Sequence, residues 1–519
     1  MITLPLLDFA ACGLALILVR WLYIRQTRKR RPNVPHPPGP PGLPIIGNLR
    51  DMPKHRGWFT YQRWSREYGS DLIRLNIFGS NIVVVNSLEA ALDLLERRSS
   101  IYSDRPEMTM LNELCGFAWG LAFQRYGNFW RDARRAFHHD FNPDSVRKFR
   151  PVEERAAYQF LRNLLERPLD VMEHLRHMAG SEIMKIAYAI DVKGKDDPYI
   201  LTAEHAVESI SATTNAGSYL VDILPFLKYI PEWFPGAKFQ KEARMWRESV
   251  MKMLHVPYAV IKQRMADGDM PECAATSLLE GLVKNARDPA YMEDVVMATL
   301  GSMYTGGADT TVSALGSFFL AMVLNPDIQI KAQQEIDRVL HNGRLPNFSD
   351  YASLPYVDAL VKESLRWNPV VPLDVPHRST ADDVYSGYFL PKDTLVVANS
   401  WSILHDEEVY PDPLTFNPDR FIKDGKMNPE VRDPAAAAFG FGRRICPGRF
   451  MAYESMWIAI ASTLAVFNIT KALGPDGKPI TPTGEYEWGF LCYPKPFLLH
   501  ASPRSPEHEA LIRATNTLE

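Results

Sequence analysis

The chain has 519 residues, 46% of them hydrophobic, which is ample for one large core and also allows two or three ordinary domains. A formal net charge of −3 carries no global pull toward nucleic acid, so no nucleic-acid partner is expected. Five cysteines, odd in number and far apart, argue against a disulfide framework, a zinc ribbon or a CxxC dithiol, and favour a reducing compartment.

Residues 1–24, MITLPLLDFAACGLALILVRWLYI, are apolar apart from Asp8 and Arg20. They are just long enough to cross a bilayer, which takes about 20 apolar residues. The basic run RQTRKRR follows and no positive residue precedes, so the positive-inside rule leaves the bulk of the chain in the cytosol. A cleaved signal peptide would want a basic start and a small-residue cleavage site after the apolar stretch, and finds neither. The expected organisation is an N-terminal transmembrane helix at 1–24, a basic and proline-rich hinge at 25–46, and one folded domain at 47–519. Seven prolines between Pro32 and Pro44 make the hinge stiff and extended. The apolar LPIIGNL at its end suggests that it docks on the domain.

Helical periodicity dominates from Gly47 onward. Helices are expected at Leu88–Arg97, Asn128–Phe137, Val152–Leu165, Met292–Leu324, Asp327–Leu340 and Tyr356–Trp367. Strand-like runs are limited to SDLIRLNIFGSNIVVVN, with a Gly-Ser turn, and DTLVVANSW. The fold class is therefore mainly α (α+β), helix-rich with small β-sheets. No GxGxxG follows a strand, so no nicotinamide or flavin domain is encoded.

Several stretches invite chemistry. WRDAR places Trp130 and Arg134 on one helical face. VDILPFLKYIPEWFPG (Val221–Gly236) carries Ile223, Leu224, Phe226, Leu227, Trp233 and Phe234, and is expected to rest on a membrane, with burial in the core as the plain alternative. In MYTGGADTTVSAL, Gly306 and Gly307 lie mid-helix, where each costs about 1 kcal/mol relative to alanine. Either a helix–helix contact or a bulky ligand pressing on the helix would explain them. Asp309 and Thr310 add an acid and a hydroxyl to an otherwise apolar helix. KESLRW sets Glu363 and Arg366 three apart, and FNPDRF brings Arg420.

FGFGRRICPG (Phe439–Gly448) holds a lone cysteine among glycines and arginines. Thiolate is the strong ligand form of Cys, and cations favour it. One thiolate without companion ligands suits a haem iron, whose porphyrin supplies four other donors, whereas zinc or iron–sulfur sites need more Cys or His nearby.

Taken together and in this order, these motifs resemble the cytochrome P-450 family of haem-thiolate monooxygenases, in particular fungal microsomal members of the mushroom type used in secondary metabolism and xenobiotic oxidation. Phe439, Gly442, Arg444, Cys446 and Gly448 match its haem-binding signature. The resemblance implies haem b with Cys446 as axial thiolate. It implies haem contacts from Phe439, Gly442 and Gly448, and propionate contacts from Trp130, Arg134, His377 and Arg444, with Arg378 as the alternative to His377. It makes Glu363, Arg366 and Arg420 a structural triad behind the haem, and Asp309 with Thr310 the oxygen-activation pair.

The same resemblance implies O2-dependent oxygenation of a hydrophobic small molecule: a terpenoid, a steroid, a polycyclic aromatic or an indole. NADPH would act only through a separate cytochrome reductase, with cytochrome b5 as a further donor and Arg131, Arg135, Arg443 and Arg449 as docking groups. The expected location is the endoplasmic reticulum membrane, single-pass, with the catalytic domain facing the cytosol, so the sequons at Asn347 and Asn468 should stay bare. The rival reading is a haem-thiolate isomerase, dehydratase or peroxygenase that needs no reductase; the intact Asp309-Thr310 pair argues against it. A third is an anchored binding protein whose Cys is merely buried. Substrate lining is expected from Met108, Met110, Leu111, Phe117, Trp119, Val371–Pro376, Trp488 and Phe490. Asp374 meets a substrate amine or hydroxyl, faces solvent, or is structural.

Overall fold

The computed structural model describes residues 33–518, apart from Lys195, residues 215–218 and Asn342. The expected membrane helix at 1–24 and the basic run behind it lie outside these residues. Among the described residues, Pro289–Leu324 alone is long and apolar enough to cross a membrane, and 72% of its apolar window is buried inside the protein. It belongs to the core.

The helices form where the periodicity puts them, and most run a few residues further. Asn128–Phe141, Arg150–Glu166, Pro326–Leu340 and Pro355–Trp367 each contain the expected span. Proline opens three of these four, where its missing N–H costs no helical bond. One expectation is corrected. Met292–Leu324 is two helices, Pro289–Gly307 and Thr310–Leu324, with a break at Ala308 and Asp309. The Thr310 hydroxyl donates to the Gly306 carbonyl at 2.7 Å, in competition with the helical ladder. Two weak helix formers, Gly306 and Gly307, precede the break.

The main sheet has four strands in the order Leu72–Ile77, Ser80–Val85, Leu395–Ala398, His377–Arg378. The first pair is a hairpin whose two loop residues, Phe78 and Gly79, have φ of 47° and 90°, as a right-twisted two-residue turn requires. Ser80–Val85 runs parallel to Leu395–Ala398. The proline-rich segment docks on this sheet and on a neighbouring hairpin. Arg74 N donates to Pro38 O at 2.8 Å, Phe389 N donates to Pro35 O at 2.7 Å, and Gly47 bridges to Ile77.

Two large apolar cores fill the molecule. One joins Phe160, Leu175, Phe318, Leu360 and Trp457; the other joins Trp130, Phe137, Ile183, Leu300 and Tyr304. Both halves of the broken helix are thus walled by core on several sides. Within Val221–Gly236, Phe226, Tyr229 and Trp233 are 63%, 79% and 80% exposed, which excludes core burial for them. Ile223 and Leu227 are not exposed as expected but half-buried.

Candidate functional site

The Cys446 loop sits between the Ala435–Ala438 turn and the Arg449–Val466 helix. Cys446 N donates to Phe439 O at 2.8 Å, which folds the loop back on itself. Gly442 has φ of 54°, and a Cβ there would overlap the Leu95 carbonyl, so only glycine fits. Gly440 is also left-handed, at φ 73°. Around Gly448, by contrast, a Cβ would meet no atom within 4 Å; its N–H instead bonds the Cys446 sulfur. Burial pushes the Cys446 thiol up, and the Gly448 N–H, Arg134 and Arg449 pull it back toward thiolate. Phe439 is half-buried against the first core.

Basic side chains crowd beside this loop, and none of Arg105, Arg134 and Arg444 forms an ion pair with a carboxylate among the described residues, although Asp104 and Asp374 act on Arg105 at longer range. Arg134 makes no hydrogen bond or ion pair with any described residue, and burial pushes its guanidinium down to about 10. Arg444 is buried and its three nitrogens donate to the carbonyls of Ser103 (2.8 Å), Leu121 (3.3 Å) and Gln124 (2.9 Å). It clamps the Cys loop to the 103–124 segment, a role the sequence did not display. Trp130 donates its indole N–H to Leu121 O at 3.1 Å, and its ring lies 4.1 Å from the Arg444 guanidinium. Burial, with help from Arg105 and Arg134, pushes Arg444 down to about 8.

Arg105, within SDRPE, was missed by sequence reasoning. It is buried, and donates to Ala122 O (2.9 Å), Val375 O (2.6 Å) and Pro376 O (3.0 Å), leaving Nη2 without a hydrogen-bond partner among the described residues. His377 is buried with Nδ1 2.7 Å from Tyr102 O, and burial with Arg105 and Arg444 keeps it neutral. Arg378 turns away to Asp393 at 2.7 Å, which removes it as the alternative to His377. Three guanidiniums without an ion-paired carboxylate among the described residues, with Asp104 and Asp374 acting only at longer range, are costly in one desolvated region. Their donor forks suit a ligand bearing carboxylates.

The broken helix shows an open stripe. Gly306 is exposed in the interior of a buried helix, and a Cβ on it would meet nothing within 4 Å. Gly307 is the opposite: its Cβ would come 2.7 Å from Ile183 Cγ1, so it is a helix–helix contact. The helix–helix contact holds for Gly307, while Gly306 is left with open space beside it. Asp309 is held by the Tyr493 hydroxyl, and burial raises its carboxyl against that bond and Arg176.

A cytochrome P450 family model matches residues 37–501. The chain belongs to the cytochrome P450 family. It is 44% identical over 472 residues to cytochrome P450 monooxygenase 98 of Postia placenta, covering 90% of each chain. It is 43% identical to cytochrome P450 monooxygenase ple1 of Rhodocybe pseudopiperita, covering 91% of this chain and 90% of the relative. It is 42% identical over 496 residues to tryptamine 4-monooxygenase of Psilocybe cyanescens, covering 95% of this chain and 97% of the relative. It is therefore a monooxygenase of fungal type, and P450 membership implies haem with a cysteine thiolate ligand. The residues present fit that group: a lone thiol in a glycine loop, guanidiniums without ion-paired carboxylates among the described residues, and a bare Gly306 with open space beside it.

In this P450 the Glu363–Arg366 pair is fully buried, and Arg420 Nε lies 3.3 Å from Glu363 Oε2. Arg366 also donates to Leu404 O and Thr415 O, and Asn417 N donates to Glu363 Oε1 at 2.7 Å. The triad is thus complete and tied to the loop before the Cys segment.

The expected lining divides. Met108, Leu111 and Phe117 lie in the second core, with Trp119 and Phe490 packed against it, and Trp119 meets Gly301 of the broken helix. Met110 instead joins Cys115, Val221 and Ala243, and Trp488 packs on Trp58 with ring centroids 5.4 Å apart, so neither belongs with that group. Asp374 does not face solvent: Oδ1 accepts from Ser400 Oγ at 2.7 Å, Oδ2 is buried without a partner, and burial pushes it up to about 7 against Ser400 and Arg105. Of the proposed docking groups, Arg131, Arg135 and Arg443 are exposed, whereas Arg449 donates back to Cys446 O at 3.1 Å.

Proposed function

We propose that this chain oxygenates a hydrophobic small molecule on a haem held by Cys446, with electrons from a separate NADPH-dependent reductase. The observation that carries the reading is the lone Cys446 in its glycine loop beside Arg134, a largely buried guanidinium with no hydrogen-bond or ion-pair partner among the described residues, with Arg105 nearby. Haem supplies the O2 chemistry when bound: one oxygen goes into substrate and the other into water. The protein's own groups do the rest. Arg134, Arg105 and His377 would hold the propionates of a bound haem, while Arg444 and Trp130 brace the wall behind them. A propionate beside His377 would favour the imidazolium, because Nδ1 already faces the Tyr102 carbonyl and Nε2 must then donate. Gly306 leaves room for a flat ring against the helix, and Phe439 and Gly442 shape the opposite side. Thr310 holds a proton donor at the reacting oxygen, and Asp309 resupplies it.

A hydrophobic ring compound suits Leu111, Phe117, Trp119 and Phe490. Within the range of terpenoid, steroid, polycyclic aromatic and indole, the relative named tryptamine 4-monooxygenase keeps an indole in view. The exposed Phe226, Tyr229, Trp233 and Phe234 support a membrane surface as the working location, in line with an anchor at 1–24 and an endoplasmic reticulum setting. Exposed Arg131, Arg135 and Arg443 would receive the acidic face of a reductase, and cytochrome b5 could use the same surface.

The test is the reduced carbon-monoxide spectrum of the purified protein, followed by NADPH-dependent turnover with a reconstituted reductase. A strongly red-shifted Soret band that Cys446→Ser abolishes is expected. A Cys446→Ser variant that keeps both band and turnover sinks the reading.

A further inference from the structure

Ser400 carries one hydroxyl proton and faces two acceptors. Its Oγ lies 2.7 Å from Asp374 Oδ1 and 3.1 Å from the Ala437 carbonyl oxygen, and all three residues are buried. A serine hydroxyl has one proton to give and two lone pairs with which to receive. It satisfies both neighbours in full only if one of them donates to it, and a carbonyl cannot. Asp374 can, as the neutral acid, and an O···O separation of 2.7 Å suits donation in either direction. The surroundings favour that form. Oδ2 is buried without a hydrogen-bond partner among the described residues, and lies 3.8 Å from the place a Cβ on Gly440 would take. Burial pushes the carboxyl up to about 7, opposed by Ser400 and Arg105.

The three groups join three parts of the site. Asp374 lies in the 371–376 run, fixed by its N–H on the Ala398 carbonyl at 3.1 Å. Ser400 opens the Ser400–Leu404 helix, which packs on the Ala435–Ala438 turn. Ala437 belongs to that turn, and its carbonyl also meets the Phe439 and Gly440 N–H groups where the chain enters the Cys446 loop. Ser400 supplies its one bond from outside the turn among the described residues. Charged groups are few here. Arg105, from the 103–124 segment, is the one charge acting on Asp374 among the described residues, without ion-pair contact. Ala437 and Gly440 bring no titratable side chain, and His377, three residues beyond Asp374, is buried and neutral.

We propose that Asp374 is a positioning residue for the Cys446 loop: as the neutral acid it donates to Ser400, which frees the Ser400 proton for the Ala437 carbonyl and fixes the turn from which the loop departs. The proposal rests on the haem-thiolate reading and adds a residue to it. Ionised, Asp374 takes the Ser400 proton for itself through a charge-assisted bond, and the turn loses its outside donor. The same event sets a negative charge beside Arg105 and Gly440. A propionate on Arg105 would add a second negative charge and hold the proton on Asp374 more firmly. Negative charge beside the haem favours its oxidised state, so the haem potential is tied to this proton. Where Asp374 is ionised, arrival of one electron from the reductase is matched by one proton from solvent, and no bond but that O–H is made.

The experiment uses the holoenzyme and two readouts independent of turnover. The first is the haem midpoint potential against pH. In the parent protein it should fall as pH rises through neutrality, because Asp374 gains its charge there. In Asp374→Asn, whose amide still donates to Ser400, it should stay at the parent's acidic value, with the red-shifted carbon-monoxide band retained. The second is the infrared carboxyl band that disappears in Asp374→Asn. It should be present below about pH 7 and fade above it. Ser400→Ala removes the donor to the carboxylate, so it should move that titration to higher pH. A parental potential that is flat through neutrality, or a fall that Asp374→Asn keeps, overturns the positioning role. A missing band, or a titration that Ser400→Ala leaves in place, overturns the link between Asp374 and Ser400. A protein with no red-shifted band would instead end the haem-thiolate reading, and the infrared titration would still decide the Asp374–Ser400 relationship.

Discussion

Arg366 forks onto Glu363 through two bonds, Nε to Oε2 at 2.7 Å and Nη2 to Oε1 at 2.8 Å, and neither side chain is exposed. Arg420 approaches the same carboxylate from the Pro418–Phe421 turn. One carboxylate therefore neutralises much of two guanidiniums in a dry setting. Glu363→Gln leaves both cations buried beside a neutral amide, which should cost about 3–5 kcal/mol. Urea unfolding and the yield of protein with a red-shifted carbon-monoxide band should both fall sharply. A Glu363→Gln protein of parental stability would contradict this.

The adjacent glycines should separate cleanly. A side chain at Gly307 drives into Ile183, so Gly307→Val should destabilise the fold by about 1–3 kcal/mol through overpacking. Gly306 faces open space, so Gly306→Val should leave the apoprotein's melting temperature nearly unchanged and lower haem content and substrate affinity instead. Melting curves of apoprotein and haem titration of the two variants decide it. Equal behaviour would mean that Gly306 does not face the haem.

Thr310→Ala should keep the spectrum and substrate binding and divert NADPH to hydrogen peroxide. Acid–base assistance of this kind is worth roughly a hundredfold to ten-thousandfold. Thr311, the next residue along the helix and about 100° further round it, serves as the control. Product formed per NADPH is the measurement, and tight coupling in Thr310→Ala would reopen the isomerase or peroxygenase alternative.

Stability should fall as pH rises from the ordinary carboxylate range toward neutrality. Burial raises the Glu182 carboxyl from 4.5 to about 7, opposed by the Ser455 hydroxyl, and Glu153 beside it is raised by burial and by Glu182. Neither oxygen of Glu153 has a partner. A carboxyl raised in the folded state binds its proton more tightly there than when unfolded. Its contribution is full below the ordinary carboxylate range and is lost as pH climbs through about 7. The Glu182 shift corresponds to about 3 kcal/mol at most, at 1.36 kcal/mol per unit. Melting temperature should drop between about pH 5 and 7, and Glu182→Gln, which keeps a group for Ser455, should flatten the drop. A flat parental profile would count against it.

Much of this site was legible because its residues sit close in sequence. Glu363 and Arg366 are one helical turn apart, and the Cys446 loop carries its glycines and cysteine within ten positions. Arg105 was hidden because nothing in SDRPE announces its partners. Two of the three, Val375 O and Pro376 O, lie 270 and 271 residues away. The helix break escaped because an apolar run with Gly-Gly reads as continuous; only the Thr310 hydroxyl on Gly306 O reveals the competition. Met110 and Trp488 misled for a simpler reason. Apolar side chains look alike in sequence, and tertiary packing alone assigns each to a wall.

The small cluster on the main sheet has a mechanical consequence. Leu49 and Met52, just past the proline-rich segment, and Ile223, at the start of the exposed aromatic stretch, pack against the same group of Tyr61, Ile73 and Leu75. A domain hung from one tether swivels freely. Here the leash and the keel are bolted to one plate. Were residues 1–24 in a bilayer and Trp233 at its surface, as proposed, the domain would be left to rock about a single line, and lipid-dissolved molecules would meet the same flank of the enzyme at every encounter.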